Sequence, residues 1–358
     1  MKNYNPKKFT QFVTKIFQKT GSNNQESFAI ADHLVDSNLV GHDSHGVIRV
    51  SKYIEWLNKG NIKINQSINI IKEENNFVHI DGNFGYGQPI AKQSFDLGIK
   101  KAKENGHCLL AIKNLGHIGR VGAWAELTAK NNCVSILFVN TSGFGILMAP
   151  QGGTDRRLSA NPISIGVPLK NNDYIVLDMA TSSVSEGKIM VAKNKNIKLS
   201  EGLILDGYGK PTNDPEKFYK DPVGSILPFG GHKGFALAFM IDILSGSLTG
   251  GHSSHPDNDN ANTVINNTFA ILVDINKTVT NDYFYKDIHR LSQWVKDSPK
   301  SQDTKEILLP GEIEKNIKKE RLQNGIPLDD QTIKQIRETA ISVGMNEVGE
   351  DFINNLIF

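Results

Sequence analysis

Apolar positions fall at helical spacing toward both ends of the chain, and at strand-like alternation or in short continuous runs through its middle. Phe9, Phe12, Val13, Ile16 and Phe17 occupy i, i+3, i+4, i+7 and i+8, one face of a helix that Gly21 stops. Ile30, Leu34, Val35 and Leu39 form the stripe of a second helix over 25–40, which feeds directly into Gly41-His42-Asp43-Ser44-His45-Gly46. Val50 to Leu57 predicts a third helix, closed by Gly60. Between Ile62 and Asp81 the pattern alternates around Glu73-Glu74-Asn75-Asn76, which predicts two strands and a hairpin turn. Helix and strand then take turns: helix over 88–105, strand over 107–112, helix over 121–131 and a buried strand over 133–140. Further strands are expected at 162–169, 174–179 and 269–274, and Asn258 to Asn267 reads as a surface loop. The longest apolar stretch, Phe235 to Leu244, is broken by Asp242 and predicts a buried helix within 233–248. From about Asp282 the chain is helical and charged, with helices over 312–323 and 330–344.

This alternation is α/β, and 358 residues with 39% hydrophobic and 22% charged positions suffice for one large or two moderate domains. Forty Lys+Arg against 38 Asp+Glu leave a net charge of +2, so there is no global basic field for nucleic acid or an anionic membrane, and a small-molecule partner is expected. Cys108 and Cys133 lie in apolar runs without a C-x-x-C pair, which points away from disulfides and zinc clusters and toward reducing cytoplasm. Met1 to Gln18 lacks the apolar core of a secretory signal, and no run approaches the ~20 apolar residues of a membrane span.

Chemistry enters with the pairing of 32 glycines and ten histidines, because His42, His45, His107, His117, His232 and His252 each have a glycine neighbour. Glycine lets backbone approach a ligand and histidine titrates near neutrality. Three turns stand out. In Gly41 to Arg49, a Ser, a His and an Asp are adjacent, so they cannot line up as nucleophile, base and orienter of a hydrolase. The same segment can aim an imidazole at a hydroxyl while Arg49 holds a carboxylate, or it is a polar helix cap and surface turn. Asn114 to Gly122 carries glycines at 116, 119 and 122 around His117 and Arg120, before a helix, where exposed amides favour an anion. The third turn, Pro228 to Gly234, puts His232 and Lys233 at a helix start, a phosphate or carboxylate site or a solvated turn, but not a P-loop. No G-x-G-x-x-G fingerprint is present: Gly143-Phe144-Gly145 has Met148 where the third glycine belongs. No ligand spacing joins His45, His117, His232 and Asp43, so no metal is expected.

Ser44-His45-Gly46 with Arg49, Gly116 to Gly119, Asn161-Pro162, Asp178 to Ser182, Pro228 to Gly234 and Pro310-Gly311-Glu312 resemble, in order and spacing, the malate/L-lactate dehydrogenase family, over nearly the whole chain. This group is unrelated to Rossmann-type lactate dehydrogenases, and Gly41 to Val50 looks most like its hydroxycarboxylate dehydrogenase B branch. The resemblance implies a non-Rossmann NAD(P)-binding fold, a central mixed sheet with helices plus a helical domain built from both termini. It implies NAD or NADP as cofactor, a homodimer, and hydride transfer to or from a small 2-hydroxycarboxylate or 2-oxo acid. By position, His45 and His117 match the acid/base histidines, and Ser44 and Arg49 the substrate site. His45, Gly119, Arg120, Asp178, Met179, Ala180, Thr181, Ser182, His232, Lys233, Pro310, Gly311 and Glu312 match cofactor-contacting positions. The domains expected are 1–72 with 285–358, helical and on the substrate side, and 73–284, α/β and cofactor-binding. Two other activities stay open: reduction of a cyclic imine or a diketo sugar acid, and, from another class, simple binding of a small anion.

Overall fold

The computed structural model describes residues 1–143, 145–194, 196–258 and 263–358. Phe144, between the paired glycines, and residues 259–262 of the Asn-rich stretch lie outside the described residues. A seven-stranded mixed sheet organises the chain. In chain order its strands are β1 (Asn69–Glu73), β2 (Phe77–Asp81), β3 (His107–Gly116), β4 (Cys133–Gly143), β5 (Ile163–Pro168), β6 (Tyr174–Met179) and β7 (Val264–Asp274). They lie side by side as β1-β2-β3-β7-β4-β5-β6. Only β2 and β3 run parallel, and the chain crosses between them through the Gly87–Asn105 helix, as a parallel pair requires. The three longest strands, β3, β7 and β4, are central because their near-continuous apolar runs must be covered on both faces, whereas β1 is exposed at every position on the edge.

Two main cores result. In one, Phe9, Phe12, Ile16 and Phe17 of the Pro6–Lys19 helix meet Leu34, Tyr53, Trp56, Ile336, Met345 and Ile353, so the first and last segments fold together. A two-stranded ribbon, Lys2–Tyr4 with Ile326–Leu328, stitches the two ends. In the other, Val78, Phe95, Leu110, Trp124, Leu137 and Leu272 join the sheet to the Gly87–Asn105 and Gly122–Lys130 helices. The first core extends to Tyr86, Val264 and Ile265, which places it directly against the sheet.

Most expected elements occur. Three differ, each for a physical reason. The hairpin strands are shorter than 62–81, because positive φ at Asn65 interrupts the extended backbone before β1. Asn266 and Asn267 are not loop residues: they are buried in β7, where their amides bond Asn140 and the Gly251 carbonyl, so side-chain pairing replaces the apolar pattern. The apolar helix is not buried either. It runs His232–Ile241, continues as a π-turn through Ser247, and leaves Phe239 and Met240 each 50% exposed and Leu248 58% exposed. Its inner face is Gly234, Ala238 and Ile241, where a Cβ added at Gly234 would lie only 2.3 Å from the Phe229 carbonyl, while Phe239 and Met240 face outward.

Candidate active site

The first glycine-flanked turn folds as two short 3-10 turns, Asp43–His45 and Val47–Arg49, ahead of the Val50–Asn58 helix. Asn38 builds it: its side-chain oxygen accepts from Val47 N–H at 2.8 Å and its side-chain nitrogen donates to Asp43 at 2.7 Å. A Cβ at Gly46 would lie 2.2 Å from that Asn38 oxygen, so glycine is required here by packing. Arg321 clamps the turn from the C-terminal helix Glu312–Asn324 by a two-pronged bond to Asp43. Arg49 Nε donates to the Ser44 carbonyl at 2.7 Å, and its other two nitrogens have no protein partner among the described residues.

His117 enters from the end of β3. The approach depends on Gly87, where a Cβ would come within 2.3 Å of the His117 carbonyl. The His45 and His117 rings stack with centroids 5.4 Å apart and planes 23° from parallel. Ser44 Oγ lies 3.0 Å from His45 Nδ1, and Tyr53 Oη lies 2.7 Å from His117 Nδ1. Burial, then the Arg49 charge, holds His45 down to about 3 and His117 well below its usual range. Two neutral imidazoles therefore face one another beside a single guanidinium, which has the chemistry of a carboxylate clamp with a proton acceptor or donor alongside.

The other expected positions form a second group next to this one. Gly187 approaches Ser44 so closely that a Cβ would lie 2.9 Å from the Ser44 Cβ, which brings the segment after Asp178 to Ser182 over the turn. Thr181 and Ser182 are buried and bonded to backbone, Thr181 Oγ1 to the Asn161 carbonyl and Ser182 Oγ to that of Val184. Met179 and Asp178 end β6, where Asp178 Oδ2 accepts from Gly122 N–H at 2.8 Å and burial raises its pKa against the opposing charges of His42 and Arg120. Ala180 follows directly. Arg120, Asp178 and Gly311 line one small cavity of about 20 Å³. Gly311, at φ +89°, packs on the Val176 backbone, Val176 N–H donates to the Pro310 carbonyl, and Glu312 at the start of its helix accepts from Leu309 N–H in the preceding turn. His232 and Lys233 are exposed at the start of their helix, and their side chains have no protein partner among the described residues. That uncovered donor set suits an anionic group such as a diphosphate.

A family model described as malate/L-lactate dehydrogenase matches residues 4–337. The chain is 38% identical over 342 residues to hydroxycarboxylate dehydrogenase B of Escherichia coli K12, covering 94% of this chain and 93% of the relative. It is 34% identical over 338 residues to a malate/(S)-sulfolactate dehydrogenase of Methanothermus fervidus, covering 94% and 96%. A structure solved from E. coli as a candidate malate/lactate dehydrogenase superposes with a TM-score of 0.95 at 36% identity over 99% of both chains. The chain belongs to the malate/L-lactate dehydrogenase family.

Within this dehydrogenase, four side chains absent from the sequence reading support the histidine pair and its surroundings. Tyr53 and Gln88 reach His117 from two different helices, and Asn266 Oδ1 accepts from Ile118 N–H at 2.9 Å. His33 stacks on Trp124 with centroids 5.3 Å apart, accepts from Arg120 N–H at 2.9 Å, and is held down to about 4 by burial and the Arg120 charge. Gly119 serves this ring: a Cβ there would lie 2.1 Å from His33 Nε2. The Arg120 side chain is 2% exposed and donates to Glu126 at 2.8 Å and Asp36 at 3.2 Å, with Nε left unpaired. Its charge is thus already matched within the protein. Local sequence carries no mark of these partners, because Asp36, Glu126 and His33 sit on ordinary helical patterns. No described helix is long and apolar enough to cross a membrane.

Proposed function

We propose that this chain transfers a hydride between a nicotinamide cofactor, NAD or NADP, and C2 of a small 2-hydroxycarboxylate or 2-oxo acid. The observation that supports it is the stacked, neutral His45–His117 pair beside Arg49. The two free nitrogens of Arg49 bind the substrate carboxylate in a fork, with Ser44 beside them. One of the two imidazoles takes the hydroxyl proton in oxidation, and the resulting imidazolium returns it to the alkoxide oxygen in reduction. Nicotinamide, when bound, supplies the acceptor or donor of hydride. His232, Lys233 and the stretch Asp178 to Ser182 with Pro310 to Glu312 hold that cofactor, and Gly119 and Arg120 act through His33 and the ion pairs around it.

In this reading residues 1–72 with 285–358 form the substrate side and 73–284 the cofactor side, in keeping with the two cores. The exposed Phe239, Met240 and Leu248 favour a homodimer, and the two free, buried cysteines favour the cytoplasm. The deciding experiment mixes the purified chain with NADH or NADPH and a panel of 2-oxo acids, cyclic imines and diketo acids, following loss of reduced-cofactor absorbance. Oxidation with a 2-oxo acid is expected. Turnover of none of them rejects the reading.

A further inference from the structure

His117 and His45 stand in similar places but in different hydrogen-bonding environments. Gln88 is 1% exposed and its Nε2 lies 2.8 Å from Tyr53 Oη and 3.2 Å from the His117 carbonyl oxygen. A carbonyl oxygen can only accept, so the amide must turn its nitrogen toward it; the opposite orientation would set two oxygens against each other. That nitrogen has two hydrogens, and the second goes to Tyr53 Oη. Tyr53, 1% exposed, therefore already accepts from Gln88, and its own proton has one close partner left among the described residues, the His117 Nδ1 at 2.7 Å. The reverse arrangement, with Nδ1–H donating to Oη, would leave the phenol proton buried and unpaired. Burial also raises the Tyr53 pKa, which keeps that proton in place at any working pH.

A neutral imidazole has one N–H, so a ring accepting at Nδ1 carries its proton on Nε2. His117 Nε2 has no protein partner among the described residues and is absent from the fully buried unpaired atoms, so it is the nitrogen open to a ligand. His45 is not constrained in this way. Its Nδ1 faces the Ser44 hydroxyl, a rotor that can donate or accept.

We propose that Tyr53, oriented by Gln88, is a positioning residue that fixes His117 as the Nε2–H tautomer, so that His117 rather than His45 presents an N–H to the oxo oxygen of a bound 2-oxo acid. The choice of ligand rests on the function proposed above; the tautomer does not. That hydrogen bond draws electron density from the C2 carbonyl, while His45 keeps the freedom to hold its proton on either nitrogen.

The test is ¹⁵N NMR of histidine-labelled full-length protein at pH 7.5, with the His117 signals assigned by their loss in His117→Gln. The expected spectrum has an unprotonated Nδ1 and a protonated Nε2 for His117, and Tyr53→Phe spreads the proton over both nitrogens. A wild-type ring protonated on Nδ1, or a tautomer unchanged in Tyr53→Phe, overturns the proposal. The wild-type spectrum decides alone if the variant does not fold. In Tyr53→Phe the kcat/KM for the 2-oxo acid found to turn over falls by about tenfold, the loss of one hydrogen bond's positioning, with a rise in KM contributing. An unaltered kcat/KM overturns the catalytic half of the proposal. The expected tautomer in a protein that reduces no 2-oxo acid would instead sink the substrate assignment and leave the tautomer standing.

Discussion

Gly119→Ala separates two explanations of a glycine that both point to the same residue. A glycine kept for a cofactor would, when substituted, weaken nucleotide binding and leave the nucleotide-free protein intact. The structure gives Gly119 another task. Its φ of +81° lies in the left-handed region, and an added Cβ would fall 2.1 Å from His33 Nε2 and 2.5 Å from Cδ2. Moving an L-residue into that region costs about 1 kcal/mol. The His33 ring cannot retreat, since Trp124 stacks behind it, so it must give up the bond from Arg120 N–H and strand a buried donor, at about 2 kcal/mol. The sum, about 3 kcal/mol, is a large part of typical domain stability. For a chain of this size it lowers Tm by about 4 °C. The assay is thermal unfolding by circular dichroism on protein stripped of nucleotide, beside a fluorescence titration with NADH. A Tm within about 2 °C of wild type, with nucleotide affinity alone reduced, would refute the packing argument.

Arg49→Lys replaces a planar fork with a point charge and should raise KM for the 2-oxo acid by about tenfold or more while the fold is retained; steady-state kinetics with KM unchanged would remove Arg49 from the carboxylate site. Lys233→Ala should weaken NADH and NADPH binding and flatten its salt dependence, measured by fluorescence titration at two ionic strengths, because the exposed ammonium has no protein partner among the described residues to satisfy first. The folded-state pKa of His33 is depressed from 6.5 to about 4, so below pH 6.5 the unfolded chain binds a proton the native ring refuses. Stability from this group is complete above 6.5 and falls with pH toward 4, by about 1.4 kcal/mol per unit. Wild type should therefore lose more stability between pH 7 and pH 5 than His33→Asn does, and parallel melting curves would contradict it.

Much of the candidate site was legible because it is local. Glycines beside His45 and His117, a guanidinium at Arg49 and the His232-Lys233 pair declare themselves within a few residues, since a turn that brings backbone to a ligand needs glycine there. Periodicity likewise marked the central strands and both sets of terminal helices, because each buries a face whose spacing is fixed by its own geometry. The helix after Lys233 defeated the same reasoning. Hydropathy registers how apolar a segment is, not which side of it meets the protein, and here the small residues Gly234 and Ala238 face inward.

The sequence by itself thus determined the α/β class, the three glycine-flanked turns and the residue types that can handle a proton and a carboxylate. Only the tertiary structure stacked His45 on His117, set both beside Arg49, and supplied Tyr53 and Gln88 behind one ring. It also packed Gly119 against His33 and matched the Arg120 charge with Glu126 and Asp36. The physical reason is common to all of these. Propensity and periodicity act between residues close in the chain, whereas a hydrogen bond between buried groups depends on which distant segments the cores bring together, and that choice leaves no local pattern.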